Sequence, residues 1–420
     1  MTVEIDGANN TVKTNTISEV TSANGVTVDG LSIKDSKLVT ANSVVEANIT
    51  NGAVTSSKIA SGVIPSSRPN VNPIIINGDM QVAQRSTSVS TTGGGYKTVD
   101  RLQFNTASAT GNATFTQEND APSNTAFRKS MKISPNATET IDAGKNLLFT
   151  YAIEGQDVQV LQHGSASPPK ATLSFWVKSS KTGAYCVQVK EETISNESYV
   201  LFEYTISQAN TWEQKVFSWT GNSAHTLNND NAMGMRLCFH LACGSDDHRS
   251  ATTSWVDDSS YRATANQVNL FDNTSNNWYI TGIQLEVGEY TSSTIPPFQH
   301  ESFGDNLARC QRYYFDINPF NSQYTAISLS NYYTTSAIWG FARFPVSMRV
   351  APTGDFVTGT SYFANNRSGA GDEFDSMTTG NLSPTQGELY GQGNASGTTG
   401  QSGRMRFNNT SARIRFTAEL

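Results

Sequence analysis

The residues best equipped for chemistry lie close together near the middle of the chain. Cys238, His240, Cys243 and His248, with Asp246 and Asp247 before the last, form a run of thiols, imidazoles and carboxylates of the kind that binds zinc. Their spacing matches no standard zinc finger or knuckle. Cys238 and His240 also share one face of a strand whose other face carries Leu237, Phe239 and Leu241, a pattern that plain alternation explains. The neighbouring carboxylates Asp246/Asp247 and Asp257/Asp258 raise the question of a glycosidase. Such an enzyme needs two carboxyl groups facing each other across a bond, whereas neighbours along a strand point to opposite faces. They read instead as solvated loop charges or calcium ligands, and Asp257 and Asp258 are kept as metal candidates. No G-x-S-x-G, H-E-x-x-H, P-loop or dinucleotide-binding glycine pattern occurs. The expectation is a protein without an enzymatic step.

Aromatic rings offer a different chemistry. Trp176, Trp212, Trp219, Trp255 and Trp278 each present a flat apolar surface that matches the C–H face of a pyranose. Core packing is the commoner fate of a tryptophan between two sheets. Trp176 departs from that pattern, because it alternates out of phase with Leu173, Phe175 and Val177 and so faces away from them. Trp255, beside Asp257 and Asp258 in a polar stretch, is the second candidate. Trp176 and Trp255 are therefore the expected ligand-binding residues, with core or inter-chain packing as the competing role.

The elements that position these residues are strands. A chain of 420 residues is long for one domain. Only 15% of its residues are charged, and Ser, Thr, Asn and Gly fill the balance, which suits strands and turns better than long helices. Short apolar runs separated by turn residues recur at 171–178, 185–189, 199–204, 212–219 and 235–241, the pattern of an antiparallel sandwich. The net charge of -7 offers no electrostatic footprint for nucleic acid. No apolar run is long enough to span a membrane, and MTVEIDGANN has neither the basic start nor the apolar stretch of a secretory signal. Four scattered cysteines, Cys186, Cys238, Cys243 and Cys310, do not make a disulfide framework. Folding in a reducing cytoplasm is expected.

Three regions follow. Residues 1–70 precede the first aromatic, Tyr96, and cannot bury enough surface to order alone; alternating runs at 26–28, 31–33 and 37–39 favour an extended stalk shared between identical chains, against a disordered linker. Residues 71–300 form the sandwich, opening with Ile74-Ile75-Ile76 as a buried strand before an Asn77-Gly78-Asp79 turn. Residues 301–420 begin with a short helix capped by Asp305, continue as strands near 324–329, 338–344 and 411–420, and contain a long Asn/Gly/Ser/Thr-rich loop at about 359–403.

Several words of this sequence resemble bacteriophage tail fibres and related virion proteins. They are NPIIINGDMQVAQR, YKTVDRLQF, the closing strand WYITGIQLEVG, the Pro-Phe corner after it, the CQRYY helix and the AEL ending. NGVTVDGLSIKDSKL is similar to the thin stalks of trimeric fibres, and SFWVKSSKTGAY with the closing strand is similar to carbohydrate-binding jelly rolls. Met80 and Leu102 stand where the family usually has aromatics. The resemblance implies an all-β protein: an intertwined N-terminal stalk, a jelly-roll sandwich and a small C-terminal β tip. It implies a homotrimer, placed in the virion tail among other tail proteins, that attaches to host surface polysaccharide, with no nucleic-acid partner and no membrane insertion. A decoration protein without receptor binding and a polysaccharide depolymerase are the alternatives. No cofactor is expected beyond a calcium ion of the kind jelly rolls hold near their termini, for which Glu286 is the place to look.

Overall fold

The computed structural model describes residues 73–192, 197–320 and 322–420, together with three short strands near the start of the chain. The chain divides into two compact units, Met1–Arg68 and Pro69–Leu420. In the first, β1 (Val26–Val28), β2 (Leu31–Lys34) and β3 (Lys37–Leu38) pair as an antiparallel meander, with Val26 opposite Ile33 and Ile33 opposite Leu38. These are the alternating runs read from the sequence. The rest of the expected stalk lies outside the described residues.

The second unit opens with a sandwich of thirteen strands: β4 (Ser88–Thr91), β5 (Gly95–Tyr96), β6 (Leu102–Ala107), β7 (Ala113–Glu118), β8 (Ser130–Pro135), β9 (Asn146–Glu154), β10 (Lys170–Ser179), β11 (Gly183–Glu192), β12 (Glu197–Ile206), β13 (Glu213–Thr220), β14 (Met233–Cys243), β15 (Thr252–Asp257) and β16 (Trp278–Val287). They form two antiparallel sheets, ordered β13-β10-β16-β8-β7-β4 and β15-β12-β11-β14-β9-β6-β5. Period-two alternation turns one face of each sheet inward: Leu173, Phe175 and Val177 from β10 meet Leu237, Phe239 and Leu241 from β14 in one buried cluster. Phe175 and Phe239 pack edge to face at 5.1 Å, and Phe149 stacks on Trp278 at 5.9 Å.

The closing strand β16 changes phase part-way. Ser174 pairs with Gln284 but Trp176 with Thr281, so Gly282 and Ile283 together oppose Phe175 as a β-bulge. The extra residue keeps Trp278 and Ile280, and then Ile283 and Leu285, all facing the core. Gly282 has φ +63°, and a Cβ there would approach the Phe127 ring to 2.6 Å.

Two expectations about local structure change here. Ile74-Ile75-Ile76 is buried or half-buried but forms bends and a turn, not a strand. The Tyr151 hydroxyl satisfies both backbone groups of Ile76 (2.7 and 3.0 Å), removing the need for a strand partner. The helix α1 (Phe303–Gln311) is capped by Ser302, whose Oγ accepts from the Asp305 amide; Asp305 lies in the first turn.

Beyond α1 come β17 (Tyr314–Ile317), β18 (Ala326–Thr334), β19 (Ala337–Arg343), β20 (Thr353–Val357), β21 (Phe363–Arg367), β22 (Ala370–Phe374), β23 (Ser376–Gly380), β24 (Gln386–Gln392), β25 (Ser402–Phe407) and β26 (Arg413–Thr417). They make a three-stranded sheet, β17-β26-β20, and a seven-stranded sheet, β22-β21-β25-β18-β19-β24-β23, around a second apolar core. The expected loop at 359–403 is largely strand. Its apolar residues are sparse, but Phe363, Phe374, Met377 and Leu389 each fall on a different strand and all reach the core. One large side chain per short strand is too faint a period to read from sequence.

The sandwich and this C-terminal module share a buried polar junction. Arg101 donates to Glu419 and to the Ala152 carbonyl (2.7 Å), with its guanidinium 3.4 Å from the Tyr313 ring centroid. Arg85 reaches the other Glu419 oxygen at 3.0 Å. Arg312 grips the fully buried Glu154 through two 2.7 Å hydrogen bonds, and the Tyr313 hydroxyl adds a third at 2.5 Å. Asn306 of α1 donates towards Asn77 and Asp79, and Arg309 donates to the Pro73 carbonyl at 2.7 Å. Removing one partner strands a buried charge. Glu419→Ala should therefore cost about 3–5 kcal/mol in chemical denaturation; a loss under about 1 kcal/mol would show that the pair does not hold the junction.

Candidate functional site

Strand β10 lies inside its sheet with β13 and β16 on either side. Leu173, Phe175 and Val177 point into the core, which turns Ser174, Trp176 and Lys178 outward. Trp176 is half-buried, opposite Gln214 on β13 and Thr281 on β16. Two residues along the same face, Lys178 lies opposite Tyr279, its Nζ 4.2 Å from that ring and 5.2 Å from the ring of Trp212. Trp212 and Tyr279 meet edge to face at 6.1 Å. Asp120 accepts from Lys178 and, at 3.0 Å, from the Trp212 indole. Burial alone would raise the Asp120 carboxyl, but the hydrogen bonds from Lys178 and Trp212 hold it below its ordinary value. Lys132, paired with Glu118 at 3.2 Å, also approaches the Tyr279 ring.

The result is an outward face with two half-buried rings, Trp176 and Trp212, and a third, Tyr279, buried under Lys178 and Lys132, set among amide, hydroxyl, ammonium and carboxylate groups. Rings supply stacking surface and the polar groups supply donors and acceptors, the combination that a hydroxylated ring compound requires. The segment after β16 crosses the same face further along. The Tyr290 amide donates to Thr172 Oγ1 at 3.1 Å, and Gln284 donates to the Pro296 carbonyl at 3.0 Å. Trp212 is one of the five tryptophans weighed as stacking rings but not one of the two preferred, and Tyr279 is not among them. Tyr279 is legible, since it alternates against Trp278 and Ile280; the expected run 212–219 begins at Trp212, whereas the strand starts one residue later at Glu213.

No family model matches this chain, and no curated protein does. Among solved structures, the enzymatically active domain of tailspike protein 4 from bacteriophage CBA120 is 14% identical over 51% of this chain and 21% of that one, with a TM-score of 0.25. A family 11 carbohydrate-binding module of a Clostridium thermocellum cellulase is 11% identical over 52% of this chain and 96% of its own, with a TM-score of 0.25. The N-terminal cellulose-binding domain of a Cellulomonas fimi β-1,4-glucanase is 11% identical over 50% of this chain and 100% of its own, with a TM-score of 0.24. The sandwich itself rests on the strand pairing described above.

The other candidates do not join this face. Trp255 lies on the edge strand β15 of the other sheet. Its ring packs against His163 at 5.4 Å and its indole donates to the Thr220 carbonyl at 2.8 Å. His163 in turn meets the buried Glu191, which accepts from Ser198 and Asn222 at 2.6 Å. Trp219 and Trp278 are core residues. Asp257 lies 3.6 Å from His225, while Asp258 pairs with Arg262 at 2.7 Å, so these neighbours face different partners and frame no bond between them. Glu286 accepts from Gln284 at 2.9 Å on the six-stranded sheet. Glu286 thus lies on a different sheet from Asp257, and no group of three or more metal-ligating side chains occurs among the described residues.

Cys238 and His240 lie on the face of β14 opposite Leu237 and Phe239, and both are fully buried. Neither ring nitrogen of His240 has a hydrogen-bond partner, and burial pushes its imidazole down to about 3. The unfolded chain takes up this proton below about 6.5, the folded chain only near 3, so stability is present above that window and is lost as pH falls through it. In His240→Leu the acid-side slope of stability against pH should flatten relative to wild type by up to about 1.4 kcal/mol per pH unit. Parallel slopes in urea denaturation would show that His240 is protonated in both states alike.

Proposed function

We propose that this chain is a virion attachment protein that binds host surface saccharide on the outer face of its six-stranded sheet and carries out no chemistry on it. The observation that carries the reading is that Trp176 and Trp212 stand half-buried on the polar outward side of the sheet, away from the core that holds Leu173, Phe175 and Val177. The likeness of the NPIIINGD, QLEVG, CQRYY and AEL words to phage tail fibres supports the virion setting. A shallow aromatic face of this kind binds weakly by itself. Presenting three copies on one fibre, as the stalk resemblance implies, raises avidity by roughly a hundredfold or more without new contacts.

A second aromatic surface favours the same reading. On the outer face of the C-terminal seven-stranded sheet Tyr333 stacks on Trp339 at 3.8 Å, and Tyr390 follows at 5.1 Å. Tyr333 and the nearby Phe341 are exposed.

Trp176→Ala should weaken binding of the purified protein to host polysaccharide about tenfold, or about 1.4 kcal/mol, with its thermal midpoint nearly unchanged. Wild-type protein that fails to block adsorption to host cells would leave a decoration role instead. Release of new reducing ends from the polysaccharide would replace binding with depolymerisation.

A further inference from the structure

A cleft of about 460 Å³ opens where the sandwich meets the C-terminal module, in the size range of small-ligand sites. Arg85, Tyr96 and Lys97 line it from the sandwich; Tyr314, Asp355 and Arg415 line it from β17, β20 and β26. Three cations against one carboxylate is an unusual local balance in a chain of net charge -7.

The three cations differ in how they are held. Arg85 is committed to the junction: it pairs with Glu419 and lies 3.7 Å from the Tyr314 ring centroid and 5.0 Å from that of Tyr96. Arg415 reaches Asp355 at 3.2 Å across a partly exposed pair, which contributes little. Lys97 has no carboxylate partner among the described residues. Its ammonium donates to the Gly94 carbonyl at 2.7 Å, and burial lowers its affinity for the proton. A half-buried ammonium without a counter-ion carries a desolvation cost that a bound anion would offset. The partly exposed Tyr96 gives a ring face, whereas the Tyr314 ring is buried beneath Arg85; the Ser86 and Thr417 hydroxyls also line the cleft and give donors and acceptors for neutral polar groups.

We propose that this cleft binds an acidic saccharide unit, with Lys97 and Arg415 meeting its carboxylate and the Tyr96 wall meeting its ring. It is a site separate from the Trp176 face and does not rest on it.

Titration calorimetry of the full chain with trigalacturonate and with the same trisaccharide after carboxyl reduction tests the assignment. The acidic form should bind, weaken as salt rises from about 50 to about 500 mM, and bind about tenfold better than the reduced form. Lys97→Met and Arg415→Gln, each checked for an unchanged melting curve, should each lower affinity about fivefold, and Trp176→Ala should leave it alone. No binding at millimolar trigalacturonate, equal binding of the two trisaccharides, or full affinity in both cleft variants would overturn the proposal. Competition by inorganic phosphate at equal affinity would overturn its saccharide part. Loss of affinity in Trp176→Ala but not in the cleft variants would return the acidic ligand to the aromatic face.

Discussion

The buried pair of Arg101 and Glu419 is the constraint around which this unit is arranged. Their positions are 318 residues apart in sequence, and neither side chain has appreciable access to water. Two charges removed from solvent are tolerable only when their geometry is held and their remaining hydrogen bonds are met. The surroundings supply both. The guanidinium lies over Tyr313 and donates to Ala152, and Arg85 takes the second carboxylate oxygen. Arg349 fixes the backbone just beyond β26 by donating to the Ala418 and Glu419 carbonyls at 2.7 and 2.8 Å. Closing this pair requires the sandwich, α1 and the final residues to be in register together.

That requirement draws several of the words singled out in the sequence into one place. Asn77 bridges Val82 and the Asp100 carbonyl through its amide, Asp100 accepts from Gln84, and Arg101 follows at once. Asn306 and Arg309 come from α1, and Arg312 and Tyr313 from the CQRYY turn that ends it; Glu419 comes from the AEL ending. Words scattered over more than three hundred residues are thus one contact region. They describe a scaffold, and the side chains that face solvent on β10, β18 and β19 take no part in it.

The strands with strict alternation were legible from the sequence, because the core side of β10 and β14 repeats every second residue without interruption. Trp176 was legible for the same reason. The triple isoleucine was misread because its backbone partner is a tyrosine hydroxyl 75 residues away, which no local pattern signals. The strands between 363 and 392 were read as loop because their composition is that of turns, and their apolar residues become a core only once the sheet is closed. Trp255 reads as part of a polar stretch beside Asp257 and Asp258; in the structure it is half-buried on the edge strand, its ring against His163 and its indole donating to the Thr220 carbonyl, contacts that no local pattern signals.

The bulge at Gly282 couples the scaffold to the proposed saccharide face. Ile283, its second residue, donates its amide to the Gly78 carbonyl at 3.0 Å, and any Cβ at Gly78 would come within 2.2 Å of the Ile283 oxygen. The same extra residue shifts the phase of β16, which puts Tyr279 and Thr281 on the outer face while Ile283 and Leu285 stay inside. An unbulged strand would have to turn either its Trp278 half or its Leu285 half to solvent. One inserted residue therefore does two jobs: it seats the Asn-Gly-Asp turn that begins the junction, and it aligns Tyr279 with Lys178 and Trp212. The closing-strand word WYITGIQLEVG thus supplies Tyr279 to the platform and also carries the bulge that sets its register.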